Sequence, residues 1–461
     1  MGRTRGLLGR DEALQKLESA LEGSPADATE IVLLTDSTEV TRYANSEIHQ
    51  NVAQTNTRVA VRVAVGKATA RVFTNMLRVE DLKGSIREAT ELARKQAPNP
   101  NFRHLPEPQQ DSMQRPPSYF MSTADQSPEV RAEAVGRVID NAQEEGLQAF
   151  GTYRATVGEL AVASSTGVRS YADYTTVYLK ALVEGPGGTG FGDAFDRDAG
   201  RIDAGKVAAQ AVARCKANHS QAEIEPGEYE ALFEPNAVAD MVRFPVIWGM
   251  SARQLLDGQS FMSGRIGERV ASQAVSIWDD PTDARCMPMP IDYEGIPSQR
   301  VTIINNGIAA GPVYDSQTAA EVGISSTGHA SNPFEAFGGD PVADHIVMPT
   351  SNATLESMIR NIKHGVWVTR FHYTHCPDRK RVIATGTTRD GTFLIRDGEV
   401  VGALKNLRLE MGVLELLSSL QEVGEGKLCQ DWWAQNGMDT TNYFLPAMRF
   451  DSCRFTGVTT F

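Results

Sequence analysis

The sequence predicts an α+β protein: an N-terminal α/β domain of antiparallel strands with flanking helices over residues 1–220, then a mainly antiparallel β domain with a few helices over 221–461. Three observations predict it. Arg58-Val59-Ala60-Val61-Arg62-Val63 alternates between faces, as a strand does. Leu14, Leu17 and Leu21 recur at the spacing of one helical face. Beyond a polar stretch, His219 to Gly227, turn residues become frequent, as in Asn305-Asn306-Gly307 and Arg389-Asp390-Gly391, between short β-rich runs.

The chain has 461 residues, 41% of them hydrophobic and 22% charged, with a formal net charge of −13. That length is ample for two domains or one large one. The acidic balance weighs against nucleic acid or an anionic membrane as partner, because phosphates need a basic footprint. No run approaches the roughly 20 apolar residues of a membrane-spanning helix. Met1–Arg10 has arginines but no apolar signal core, so the expected location is the cytoplasm. Cys215, Cys286, Cys376, Cys429 and Cys453 lie far apart without a C-x-x-C, which argues against a disulfide framework or a zinc knuckle.

In chain order, a helix is expected over Asp11 to Leu21, then strands at Ile31 to Leu34, Val40 to His49, Thr57 to Val65 and Ala68 to Phe73, with Gly66-Lys67 as a tight hairpin connection. Val79 to Gln96 is a second helix, and Ala97 to Pro117, rich in proline, is a loop. The pattern then repeats in outline: a helix over Glu129 to Glu145, strands between Ala149 and Glu184, and a helix over Ala204 to Asn218. In the second half, strands are expected at Val301 to Ile304, Val366 to Tyr373, Arg381 to Thr385, Phe393 to Ile395, Val400 to Leu404 and Met448 to Thr456. Helices are expected after Pro235, over Thr354 to Ile362 and over Met411 to Leu420.

The run Tyr229 to Phe233 ends at Glu234-Pro235, and proline suits a first helical turn, where its missing N–H would have no partner. Val238, Met241 and Val242 then form one buried stripe. Zinc peptidases place two histidines and a glutamate on such a helix, the histidines as ligands and the glutamate as base. This helix offers Pro235, Asn236 and Asp240.

Other motifs are weaker. Gly185-Pro186-Gly187-Gly188-Thr189-Gly190 satisfies G-x-G-x-x-G, but no helix follows at once, so a flexible surface loop is expected rather than a dinucleotide site. His372-Tyr373-Thr374-His375-Cys376 is the densest ligand-like cluster; strand alternation puts His372 and Cys376 on one face, where a Cys–His nucleophilic pair is conceivable beside the plainer reading of a strand end. Thr327-Gly328-His329-Ala330-Ser331-Asn332-Pro333 is either a surface connection or a loop offering N–H groups and His329 to a peptide or carboxylate. Cys453 is expected as a buried inert thiol.

At Phe233 to Val242 the chain resembles the TldD/TldE (PmbA) family of zinc-peptidase pairs. The likeness extends to Asn45 to Asn51, Glu294-Gly295-Ile296-Pro297, Tyr314-Asp315-Ser316, Ser326 to Ala330 and Gly365 to Thr369. The TldD-like member carries H-E-x-x-x-H. Laid on it, Pro235 takes the place of the first histidine, Asn236 that of the glutamate and Asp240 that of the second histidine; Cys429 is the nearest counterpart of a C-terminal cysteine. The resemblance therefore implies a TldE (PmbA)-like subunit, not catalytic alone. It would form a heterodimer with a TldD-like subunit that holds the zinc and processes unfolded or small peptides, or a peptide-derived natural product. It implies no metal in this chain, and substrate contacts at Thr327, Gly328, His329 and His372. Two alternatives stand beside it: a self-sufficient hydrolase or transferase using His372, His375 and Cys376, and a peptide-binding protein without catalysis.

Overall fold

Long hairpins build the N-terminal part of the molecule. The computed structural model describes residues 6–459 apart from 112, 288, 336–338 and 436–441; residues 1–5 of the Met1–Arg10 stretch thus lie outside it. Helix α1 (Arg10–Leu21) leads into β1 (Ala28–Ala44), β2 (Glu47–Val65), β3 (Ala68–Thr74) and α2 (Val79–Lys95). After the proline-rich loop and the short α3 (Met121–Ala124), the plan recurs: α4 (Pro128–Glu144), β4 (Gln148–Ser164), β5 (Arg169–Gly185), β6 (Gly188–Asp196) and α5 (Ala204–Ala217). The six strands form one antiparallel sheet in the order β3-β2-β1-β4-β5-β6. Odd-numbered residues of the central strands, such as Leu33, Val61 and Ala161, pack under α1 and α2, and Val177 and Leu179 pack under α4 and α5. The opposite face meets the rest of the chain, with Val32, Leu160 and Val162 against Ile291 and Ile296.

Two expectations fail here. Val40 to His49 is not one strand: the chain reverses at Asn45 and Ser46, whose φ values of 51° and 60° belong to a mirror-image hairpin turn. Polar residues on both sides hid that turn. Nor is the run from Gly185 to Gly190 a flexible loop. It closes the β5–β6 hairpin and continues as strand, and a Cβ on Gly190 would lie 2.1 Å from the carbonyl oxygen of Ala211 in α5. Its glycine serves close helix–sheet approach.

The C-terminal part runs β7 (Gly227–Phe233), α6 (Pro235–Gly249), α7 (Ala252–Leu256), β8 (Ile277–Asp279), β9 (Val301–Asn305), β10 (Ile308–Ala309), α8 (Ser316–Val322), β11 (His345–Val347) and α9 (Leu355–Arg360). It continues with β12 (His364–Val368), β13 (Phe371–Asp378), β14 (Ile383–Thr388), β15 (Thr392–Arg396), β16 (Glu399–Ala403), β17 (Leu407–Gly412), α10 (Val413–Ser418), β18 (Leu420–Cys429), α11 (Trp432–Gln435) and β19 (Asn442–Val458). Among the described residues these strands join in one mixed sheet, mostly antiparallel, with β7–β12 and β11–β19 parallel. The run Val366 to Tyr373 is broken into β12 and β13 at Thr369 and Arg370. Helix α6 lies in the main core, with Ala237, Val238, Met241 and Val242 buried among strand residues such as Phe371 and Met448. No described helix is long and apolar enough to cross a membrane.

Candidate functional site

Strand β7, held between β12 and β19, delivers Glu234 to the N-terminus of α6. Glu234 donates its N–H to the Val368 carbonyl (3.0 Å), accepts from the Trp367 indole (3.1 Å) and pairs with Arg214. Pro235 occupies the first helical turn, where its fixed φ costs nothing. Its carbonyl accepts from the Cys429 thiol at 3.6 Å, and the same thiol lies 3.5 Å from the Tyr443 carbonyl. Burial pushes the Cys429 thiol well above its ordinary value, so it keeps its proton. Asn236 donates from Nδ2 to Asp193 of β6 at 2.9 Å, and Lys427 of β18 pairs with the same carboxylate. The Asn236 Oδ1 is buried and meets no donor among the described residues. One helical turn on, the Asp240 carboxylate accepts from the backbone N–H groups of Trp432 (2.7 Å) and Phe371 (2.9 Å). Burial, reinforced by Asp431, raises Asp240 to about 8.

These positions do not form a donor set for a catalytic zinc, which takes three deprotonated protein ligands and keeps a fourth position open. Proline has no ligating side chain. The Asn236 amide is committed to Asp193, both oxygens of Asp240 hold backbone N–H groups, and the Cys429 thiol faces the Pro235 and Tyr443 carbonyls. Among the described residues no three His, Cys, Asp or Glu side chains converge as a metal ion requires.

A cavity of about 430 Å3 opens between the helix-free face of the first sheet and the loops of the C-terminal part, lined by Arg154 and Tyr174 on one side and Asp292, Gly328, His329 and His345 on the other. Asp292 builds its loop wall. Oδ1 accepts from the N–H groups of Glu294 and Ile296 (both 2.9 Å), and Oδ2 accepts from Ala330 (2.9 Å). Gly328 completes the join: at φ 71° a Cβ would stand 2.3 Å from the Pro297 carbonyl oxygen. His329 is buried, with Nδ1 2.9 Å from the Thr327 hydroxyl and Nε2 3.0 Å from Asp279 Oδ1, at ion-pair distance but off the line of a hydrogen bond. His345 approaches the same oxygen with Nδ1 (3.3 Å), while its Nε2 accepts the Met289 N–H (2.9 Å), which puts the proton on Nδ1. Burial alone would raise Asp279, but the two imidazoles hold it well below the carboxylate range.

Thr327, Gly328 and His329 therefore lie together, the latter two in the cavity wall and Thr327 behind them, bonded to both backbone groups of Tyr314. His372 lies elsewhere, on β13, with its ring 5.0 Å from Trp432. Burial, then Arg370 and Arg389, lower it to about 4. The expected alternation fails in this strand because Tyr373 sits at φ 53° and the pairing with β14 shifts register. His375 stacks edge-on with Tyr373, while Cys376 donates to the Asp378 carbonyl at 3.4 Å. Burial raises that thiol to about 11, the reverse of an activated nucleophile.

Reasoning from sequence missed Asp193, Lys427, Asp279, Asp292, His345 and Arg154. Each has a partner from a distant segment, as Asp292 has in Ala330, and sequence spacing does not reveal that pairing. Only His345, a histidine in a short apolar strand, could have drawn notice.

The C-terminal part, built around the strand-to-helix junction of β7 and α6, is a domain of a metallopeptidase class. A family model described as the PmbA/TldA metallopeptidase C-terminal domain matches residues 226–457, and the chain belongs to this PmbA/TldD family. The chain is 24% identical over 200 residues to a metalloprotease of Methanothermobacter thermautotrophicus, covering 43% of each chain. It is 26% identical over 207 residues to a TldD homolog of Buchnera aphidicola, covering 43% of this chain and 42% of that one. The matched region thus spans under half the length of either relative. TldE from Thermococcus kodakarensis has the same fold, with a TM-score of 0.86 at 22% identity over 96% of this chain and 100% of that one.

Proposed function

We propose that the chain is the TldE (PmbA)-like, non-catalytic subunit of a heteromeric zinc metallopeptidase in the cytoplasm. It pairs with a TldD-like subunit and receives unfolded or small peptides, or a peptide-derived natural product. The partner contributes zinc and general base; this chain contributes walls and substrate contacts. The observation that carries the reading is the group of atoms at the start of α6, where the Pro235 carbonyl faces the Cys429 thiol and the Asn236 amide faces Asp193. Asp240, at the third aligned position, is held by the backbone N–H groups of Phe371 and Trp432.

In this reading Gly328 and His329 touch substrate in the cavity and His372 touches it beside Trp432, while Thr327 positions His329 through its 2.9 Å contact. The test is an assay of the purified chain alone, of a relative retaining H-E-x-x-x-H, and of the two mixed, with metal analysis of each. Peptide hydrolysis is expected on mixing, with zinc in the partner. Turnover by this chain alone, with its own tightly held ion, overturns the reading and favours the hydrolase built on His372, His375 and Cys376. Peptide binding without turnover in any preparation also overturns it and leaves a binding protein.

A further inference from the structure

We propose that Arg42, Lys180 and Arg154 form a carboxylate-binding strip on the helix-free face of the first sheet, which anchors an anionic end of the peptide at the mouth of the cavity. Register places them together: Arg42 of β1 and Lys180 of β5 both lie opposite Thr152 of β4, and Arg154 is two residues along β4 on the same face. Side chains so related stand one to two strand spacings apart, within reach of one small anion.

Their lack of partners sets them apart. Cations nearby are neutralised: Arg58 of the same sheet by Asp36 (2.5 Å), and Arg370 and Lys427 of the C-terminal part by Asp390 (2.8 Å) and Asp193. Among the described residues, Arg42, Lys180 and Arg154 have no carboxylate within 4.0 Å; Arg154 has only the Tyr178 ring, at 5.8 Å. The acid nearest Lys180 in register, Asp193, is taken by Lys427 and Asn236. The chain has 58 acidic residues against 45 basic ones and still leaves these three unpaired. Burial first, then Arg370, Arg154 and Arg42, lower Lys180 to about 8. Close cations without a counter-ion destabilise the empty protein, and an incoming anion relieves that repulsion.

Exposure gives the strip a direction. Arg42 is exposed, Lys180 beside it is half-buried, and Arg154 is half-buried in the cavity wall. A guanidinium takes a carboxylate through two parallel hydrogen bonds, whereas a neutral amide offers no charge to pair. The carboxylate can be the free C-terminus of a peptide or an acidic side chain. The inference rests on the proposed function only in assigning that carboxylate to a peptide.

Calorimetric titration of the full chain at low salt tests it, using an unstructured peptide without acidic residues, made as the free acid and as the C-terminal amide. The free acid is expected to bind roughly tenfold tighter to the unaltered chain. Arg154→Gln with Lys180→Gln is expected to abolish that preference, and the charge-conserving pair Arg154→Lys with Lys180→Arg to keep most of it. An amidated peptide carrying one internal glutamate separates the sources. Restored affinity in the unaltered chain, absent from the double glutamine variant, assigns the strip to acidic side chains; affinity equal to the plain amide assigns it to the C-terminus. Equal affinity for acid and amide, no measurable binding of either, or a preference surviving the double glutamine variant overturns the inference. Comparing the two forms on the unaltered chain needs no variant to fold. Failure of the mixing assay with the acid preference intact removes the peptidase reading and leaves the strip standing.

Discussion

The Cys429 thiol lies 3.6 Å from the carbonyl oxygen of Pro235, joining the end of β18 to the first turn of α6 across 194 positions of the chain. The contact is a weak S–H···O one, and beside it the Asn236 amide and the Lys427 ammonium both bond Asp193.

The state of that thiol can be measured. Buried and protonated, Cys429 is expected to resist iodoacetamide in the native chain, while half-buried Cys376, held at about 11, reacts slowly and all five cysteines react after unfolding. Mass-spectrometric mapping over time checks this. Native labelling of Cys429 as fast as that of Cys376 contradicts the closed geometry.

Asp240 makes stability depend on pH with an unusual sign. Its folded value of about 8 lies above the unfolded value of 3.8. Between those values the folded chain holds a proton that the unfolded chain has released, so stability is full below the window and falls as pH rises through it. Asp240→Asn is expected to flatten this slope. Urea unfolding at several pH values from 5 to about 8.5 gives the comparison.

Asp193 is fully buried, whereas the Lys427 side chain is 32% exposed. Replacing Lys427 with Met strands the carboxylate and is expected to cost about 2 kcal/mol, below the range for a wholly buried pair because water reaches the lysine. Adding Asp193→Asn should recover more than half of that loss. A double-mutant cycle in urea decides; simple additivity would show that the two residues do not act as a pair.

Gly328→Ala forces a side chain into the left-handed region and against the Pro297 carbonyl. The expected cost is about 3 kcal/mol. If the cavity binds peptide, affinity in titration should fall too, because His329 follows directly in the displaced loop. A variant as stable as the parent would show that the loop has room the geometry denies it.

Much of the fold was legible because burial imposes a period on sequence. Helices α2, α4, α5 and α6 declare themselves by apolar repeats, with Pro128 and Pro235 near their starts and Ser127 and Asp203 as caps. Short elements such as α7, β8 and β11 did not, since one turn or three residues carry too little pattern. The Asn45-Ser46 turn was lost among polar residues on both sides. At the site, Pro235, Asn236 and Asp240 share one short run of sequence and so were visible together.

By itself, the sequence determined the α+β class, the strand-to-helix junction at Glu234-Pro235 and the absence of histidine and glutamate from the helix that follows, because each is a property of neighbouring residues. Only the tertiary structure decided that Cys429 faces Pro235, that Asp193 joins Asn236 to Lys427, that Asp279 lies between His329 and His345, and that three cations on adjacent strands go unpaired. The reason is physical: those relations depend on strand register and on the packing of one sheet face against distant loops, and register over tens or hundreds of residues leaves no local mark in the chain.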